Sequence, residues 1–339
     1  MSVLFQLDTA KAIARGLCNL VDVDGGPTNE QLRVLSVLIV HFLGLTSADL
    51  DFTNTLSAAE LAVVMTGASE RRRFMQLATI LELCRHPKSV EQLQKLEDCA
   101  EALHVSGDAL NAAKELCHKS AEEASADFLR TYQTYFPDLS EGYHKMLSQD
   151  GQLHYDDDFF EKLQTFHAMP PGSLGKCFAE FYRRSGLTIP TRQTVNPGYY
   201  LWHDMGHVIT GYEATSIGEV CLGAFKLALH DSDANWMASL TNFMIHEAGL
   251  FKPGSQVQYV SNRGSGDPYG TDCTKGVMED PSAPDFLAEA LQRGSTCTGD
   301  FTSLDHLAIA DVPLIEIRSQ YNIVPLKQSM FDDAHLWPA

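Results

Sequence analysis

Signals for the start of a helix recur along this chain and constrain its fold more than any other feature of the sequence. Three of them are capping boxes, in which Ser or Thr precedes Glu or Gln by three residues: Thr28 with Gln31, Ser57 with Glu60, and Ser89 with Gln92. Behind each signal, apolar residues recur at the spacing of a helix that is buried on one side. No stretch of residues 1–136 alternates between apolar and polar side chains as a strand does. The sequence therefore predicts an all-α fold.

A polar stretch near the middle of the chain predicts a boundary between two helical domains. Residues 138–158 show little periodicity and contain the acidic run Asp156-Asp157-Asp158, which is typical of a solvated linker. We expect a first domain at 1–145, a linker at 146–157, a second domain at 158–330 and a tail at 331–339. A long helix at 108–136 and an irregular loop at 255–276 are also expected.

The charge of the chain limits the classes of partner it can have. Its 44 acidic residues outnumber its 25 Lys and Arg, which gives a net charge of −19. This balance argues against a nucleic-acid-binding protein, which needs a basic face. No apolar run is long enough to span a membrane, and no signal peptide is visible. We expect a cytoplasmic homo-oligomer in which apolar, peripheral contact with a membrane remains open.

A weak internal repeat runs through the first half. The triplet that begins at Glu30 recurs at Glu91, each time after a turn that contains proline. This half resembles the tellurite-resistance TerB-like helical domain, in which a repeated acidic turn, D-G-x(4)-E, is associated with metal binding and membrane-linked complexes. Asp24-Gly25 and Glu30 fit the first copy, whereas 85–87 (Arg-His-Pro) replace the second. On the residues alone, we favour a turn at Asp24 and a first-turn helix charge at Glu30.

Four potential metal ligands lie within a short, mostly apolar window of the second half. His203 and His207 are four residues apart, so they lie on one face of a helix. Asp204 is adjacent to the first histidine, and Glu219 follows on a second helix. Imidazole and carboxylate donors in this number suit a divalent ion such as zinc, iron or manganese.

Each of these residues also has a structural explanation that needs no metal. A histidine on an apolar helix is commonly a buried residue with a hydrogen-bond partner. Asp204 would be favoured by the dipole at the start of its helix. Ser216 and Glu219 have the spacing of a capping box, so Glu219 could bind backbone amides instead. From spacing alone, a ligand role and a capping role for Glu219 are equally supported.

The pattern His203-Asp204-x-x-His207-x(11)-Glu219 resembles the signature of the coenzyme Q biosynthesis protein 4 family. The likeness covers roughly residues 158–325 and includes four flanking stretches: 170–175, 202–212, 218–225 and 314–318. The sequence departs from the family at 199–202, where Tyr-Tyr-Leu-Trp replaces a pair of oppositely charged residues.

This resemblance implies an all-helical fold that holds a divalent metal beside an apolar cleft. The four residues of the pattern would then be metal ligands and catalytic. The family acts on a polyprenylated benzoate, is implicated in replacing the ring carboxyl group with a hydroxyl group, and organises other biosynthetic proteins. Side chains that could line the cleft are Tyr200, Phe225, Trp236, Phe243, Met244 and His246.

Two other functions remain open. The first is a lipid-binding scaffold of a biosynthetic complex, in which the metal is structural. The second is an HD-type metal-dependent hydrolase, which needs a further histidine upstream and an aspartate downstream; His167 and Asp231 are available. A zincin protease is disfavoured because Asp204 stands where that class places its glutamate base.

Overall fold

A computed structural model describes residues 5–107, 111, 155–194, 197–248 and 276–327. These residues form twelve α-helices and no strand, which confirms the predicted all-α class. Nearly all of the helix predicted at 108–136 and of the loop at 255–276, most of the linker, and the whole tail at 331–339 lie outside the described residues.

The first half contains five helices, three of which start at the predicted capping signals. The Thr28 and Ser57 capping boxes are both formed, and the Ser89 side chain accepts a hydrogen bond from the Gln92 amide. The second helix continues into one π-helical turn at Leu38–Phe42. The helices are α1 Leu7–Val21, α2 Asn29–Val37, α3 Ala58–Val64, α4 Ala68–Leu83 and α5 Val90–Leu103.

The second half contains seven helices: α6 Asp157–Thr165, α7 Leu174–Arg184, α8 Pro197–Thr210, α9 Ser216–Leu229, α10 Asp233–His246, α11 Ala283–Ser295 and α12 Leu314–Gln320. Asp156 caps α6, so this helix begins at the end of the predicted linker. Residues 304–309, whose apolar spacing also predicts a helix, form turns instead. There the Asp305 carboxylate accepts the Ala308 amide as a helix cap does, but the backbone does not continue into a helix.

The two halves pack against each other through α2 and α4. Helix α4 contacts α10, and α2 contacts α11. Arg73 of α4 reaches across to Asp231 and Asp233, with nitrogen–oxygen distances of 2.8 and 2.9 Å. Buried apolar residues of both halves form one continuous core.

Helix α8 is held by the elements around it, and its position determines the candidate site. It packs on α7, α9 and α12. At its C-terminal end, Arg318 of α12 donates hydrogen bonds to the carbonyls of Val208 and Ile209, each at 2.9 Å. Arg293 of α11 donates to the carbonyl of Thr210 at 2.7 Å. These carbonyls have no partner inside the helix, so positive groups here both complete their hydrogen bonds and suit the helix dipole.

Candidate metal centre

Two imidazoles and one carboxylate converge between α8 and α9. The Nε2 atoms of His203 and His207 are 3.1 Å apart, and Glu219 Oε2 lies 2.9 Å from the first and 3.3 Å from the second. Ligand bonds of about 2.1 Å place neighbouring donors about 3.0–3.4 Å apart around one ion. The three donor atoms therefore already have the mutual distances that a single divalent ion requires.

The hydrogen bond on the far side of His207 determines which of its nitrogens is available. His207 Nδ1 lies 2.9 Å from the backbone carbonyl of Tyr212. Because a carbonyl only accepts, Nδ1 carries the hydrogen, and Nε2 of the neutral ring presents a lone pair to the other donors. Aromatic rings stack on both imidazoles, Phe181 on His207 at 5.5 Å and Tyr199 on His203 at 5.6 Å between ring centres. Each imidazole of the donor group is thus covered on one side by an aromatic ring.

Asp204 supplies a fourth oxygen at the edge of this group. Its Oδ2 accepts a hydrogen bond from the Tyr182 hydroxyl. Its Oδ1 is buried, has no hydrogen-bond partner among the described residues, and lies 4.0 Å from His203 Nε2. A buried carboxylate oxygen without a partner is costly, and a bound cation would remove that cost. His203, Asp204 and His207 offer donor atoms within 4.8 Å of one another. The residues present therefore fit a divalent ion.

Glu219 points towards the histidines rather than towards the start of its own helix. Thr215 caps α9, and its side chain accepts the Gly218 amide. Ser216 is the first helical residue, so of the two roles left open for Glu219 the capping box with Ser216 is not formed. The Glu219 backbone carbonyl accepts a hydrogen bond of 2.6 Å from Asn242 of α10. Its carboxylate instead lies beside His203 and His207, and we call these three side chains, together with Asp204, the metal-type group.

Two curated proteins are similar to part of this chain. Ubiquinone biosynthesis protein coq4, mitochondrial, of Botryotinia fuckeliana is 29% identical over 110 residues, and the protein of the same name from Sclerotinia sclerotiorum is 26% identical over 110 residues. This chain is related to the coenzyme Q biosynthesis protein 4 family. Each alignment covers 29% of this chain and only 37% of the relative's length.

No protein-family model matches the chain. The crystal structure of a proposed ubiquinone biosynthesis protein from Nostoc punctiforme PCC 73102 aligns over 74% of this chain and 97% of its own, with 18% identity and a TM-score of 0.32.

Among the described residues, none of the helices has both the length and the apolar character needed to cross a membrane.

The cleft residues suggested by the resemblance to the coenzyme Q biosynthesis protein 4 family are dispersed. Phe225, Trp236, Phe243 and Met244 are at most 2% exposed. The Phe225 ring faces Tyr212 and Phe301, whereas Trp236 contacts Phe42 and Arg73 of the first half. Tyr200 is half-buried beside Tyr199, and His246 Nδ1 lies 3.3 Å from the Ser216 hydroxyl. A cleft lined by these six residues stays a prediction.

Several polar groups that lie in space near His203, Asp204, His207 and Glu219 could not be recognised as site residues from the sequence. Tyr182 binds Asp204 from a different helix. His306 lies in the turns that follow Phe301–Ser303. Lys226 could have been noticed, because it is the one charged residue in the apolar stretch 220–229 of α9. A lysine in an otherwise apolar helix needs a buried partner or a function.

Proposed function

We propose that this chain is a metal-dependent enzyme of ubiquinone biosynthesis, or of a related pathway, that acts on an apolar or prenylated aromatic acid. The observation that carries the proposal is the buried group of His203 Nε2, His207 Nε2 and Glu219 Oε2, with all separations at or below 3.3 Å. The pathway is suggested by the relatives, which are named as ubiquinone biosynthesis proteins.

The proposed reaction replaces a ring carboxyl group with a hydroxyl group. One aromatic acid, one dioxygen, two electrons and two protons give one phenol, one carbon dioxide and one water, so dioxygen is the oxidant and an external two-electron donor is required. A bound iron or manganese ion would supply redox chemistry, whereas zinc would act only as a Lewis acid. The chain's own part is to hold the donors, and the Phe181 and Tyr199 rings limit the access of water to them.

The hydrolase alternative has less support. His167 is exposed in a short 3-10 helix. Asp231 accepts a hydrogen bond from Trp236 Nε1 at 2.7 Å and pairs with Arg73. The extra histidine and aspartate of the HD pattern are therefore engaged elsewhere or facing solvent.

A non-catalytic scaffold with a structural metal remains the second candidate. Val63, Val64 and Val90 are 78%, 48% and 76% exposed on the first half, and a scaffold would use exposed apolar side chains of this kind to contact a partner. Association with other biosynthetic proteins, with a membrane surface or with a second copy of the chain stays a prediction.

Turnover of the loaded protein separates these two candidates. The purified chain, loaded in turn with Fe(II), Mn(II) or Zn(II), is incubated with 4-hydroxy-3-prenylbenzoate, dioxygen and a reductant, and released carbon dioxide is measured. We expect release with a redox-active ion, its loss in His203→Ala, and its retention in His167→Ala, the same change at an exposed histidine. Binding of the acid without turnover under every loading would contradict the enzyme and favour the scaffold.

A further inference from the structure

One face of α9 carries two buried, ionisable side chains, Glu219 and Lys226. Glu219 and Lys226 are two helical turns apart, so they project from nearly the same side of the helix. Glu219 meets His203 and His207, whereas Lys226 meets Trp202 and Gly206, which form the adjacent stripe of α8. The metal-type group and the Lys226 ammonium are therefore held by the same pair of helices.

Lys226 is buried without an opposite charge in contact. It is 2% exposed, and its Nζ lies 3.8 Å from the centre of the Trp202 ring. Among the described residues it forms no ion pair, since Asp204 and Asp300 act on it only from a longer distance. Glycine at 206 leaves room for the ammonium, because an added Cβ would lie 3.0 Å from Nζ.

A buried nitrogen without a hydrogen-bond partner among the described residues lies in the same region. His306 is 5% exposed, and its Nε2 has no hydrogen-bond partner among the described residues. Burial and the Lys226 charge lower the pKa of His306 to about 4, so the ring is neutral near pH 7. Trp202 Nε1 donates to the Thr302 carbonyl at 2.8 Å, which ties the segment before His306 to α8.

The charge on Lys226 is poorly stabilised by the protein alone. Burial lowers the pKa of its ammonium to about 7, even though the nearby Asp204 and Asp300 carboxylates favour the charged form. Among the described residues no carboxylate contacts this ammonium, so an entering anion would supply the opposite charge that it lacks, whereas the neutral His306 ring, which is bonded to the Phe301 backbone, offers only a lone pair at Nε2.

We propose that Lys226, seated on the Trp202 ring beside His306, binds the carboxylate of an aromatic acid in a subsite next to the metal-type group. The carboxylate provides the missing opposite charge and accepts the ammonium hydrogens. The choice of an aromatic acid as the ligand rests on the proposed function. Recognition of a carboxylate by Lys226 needs neither metal nor turnover and is tested without them.

Calorimetric binding to metal-free protein tests this subsite. The ligands are 4-hydroxybenzoate and 4-hydroxybenzyl alcohol, which has a similar shape but no charge. We expect the native chain to prefer the acid by about 10- to 100-fold, as for a hydrogen bond to a charged group. Lys226→Met should bind the two ligands equally. Lys162→Met, which removes an exposed lysine of α6, should keep the native preference.

Two results would overturn the subsite. One is equal binding of acid and alcohol by the native chain, and the other is an intact preference in Lys226→Met. Failure here is distinguishable from failure of the proposed function. A chain that prefers the acid through Lys226 but never releases carbon dioxide keeps the subsite and loses the enzyme. A chain that turns over the acid without this preference loses only the subsite.

Discussion

The hydroxyl of Tyr182 donates a hydrogen bond to Asp204 Oδ2, and this contact ties α7 to the helix that carries both histidines. Asp204 is 1% exposed, so its position depends on the few groups that touch it. A partner of this kind orients a ligand without being one, and removing such partners commonly weakens metal binding by about 10- to 100-fold.

Tyr182→Phe should therefore weaken metal binding by about that factor, as measured by competition with a chelator. Tyr155→Phe is the matched control, because the Tyr155 hydroxyl also contacts α8 but binds the Gly198 backbone instead of a carboxylate. Equal affinity in the native chain and Tyr182→Phe would show that Asp204 does not need this hydroxyl.

Arg73 should matter far more for folding than its neighbour Arg72. Arg73 is 8% exposed, pairs with Asp231 and Asp233, and lies over the Trp236 ring. Arg72 pairs with Asp233 at the surface and is 48% exposed. We expect Arg73→Met to lower the free energy of unfolding by about 1–3 kcal/mol and Arg72→Met by less than about 1 kcal/mol, in urea denaturation. Similar losses of unfolding free energy in the two variants would mean that the buried ion pairs of Arg73 stabilise the fold no more than the surface pair of Arg72.

Lys226→Met should stabilise the fold at neutral pH. Because the pKa of Lys226 falls from 10.5 to about 7 on folding, the unfolded chain binds more protons between these values. Protonation of Lys226 therefore lowers the free energy of unfolding as the pH falls from 10.5 to about 7, by an amount on the order of a few kcal/mol. Lys226→Met should raise the melting temperature at pH 7 and have less effect near pH 10. A difference that does not depend on pH would exclude a buried, titrating Lys226.

His306 should contribute to the decrease in the free energy of unfolding at acidic pH. Its pKa falls from 6.5 in the unfolded chain to about 4 in the fold, mainly through burial. Its contribution to the free energy of unfolding is present above pH 6.5 and is lost as pH falls towards 4. His306→Gln, which cannot take up this proton, should show a shallower loss of stability between these values in denaturant titrations. If stability decreased equally between pH 6.5 and pH 4 in the native chain and in His306→Gln, a buried, neutral His306 would be contradicted.

Local signals explain why much of this fold and the metal-type group could be predicted from the sequence. Thr28 and Ser57 begin helices because their side chains bond amides three residues away, and that spacing is visible in the chain. His203 and His207 meet because they are one turn apart. The spacing of Ser216 and Glu219 also fits a capping box, yet Thr215 is the cap of α9, because both residues are good caps and the spacing does not choose between them.

Contacts between distant segments account for what the sequence did not reveal. Tyr182 reaches Asp204, and Trp202 reaches Thr302, across separations that no periodic pattern encodes. Apolar side chains such as Phe225 and Trp236 look alike whether they fill a core or line a cleft, so their partners could not be inferred from residue type.

Metal content of the purified chain tests the central claim most directly. Native protein, His203→Ala and Glu219→Gln are dialysed against Fe(II), Mn(II) or Zn(II), then analysed by mass spectrometry of the elements, with His167→Ala as the control. We expect about one ion per native or control chain and a loss in both site variants, because each variant removes one of three converging donors. No bound ion in the native chain, or equal content in all four proteins, would contradict a metal centre between α8 and α9.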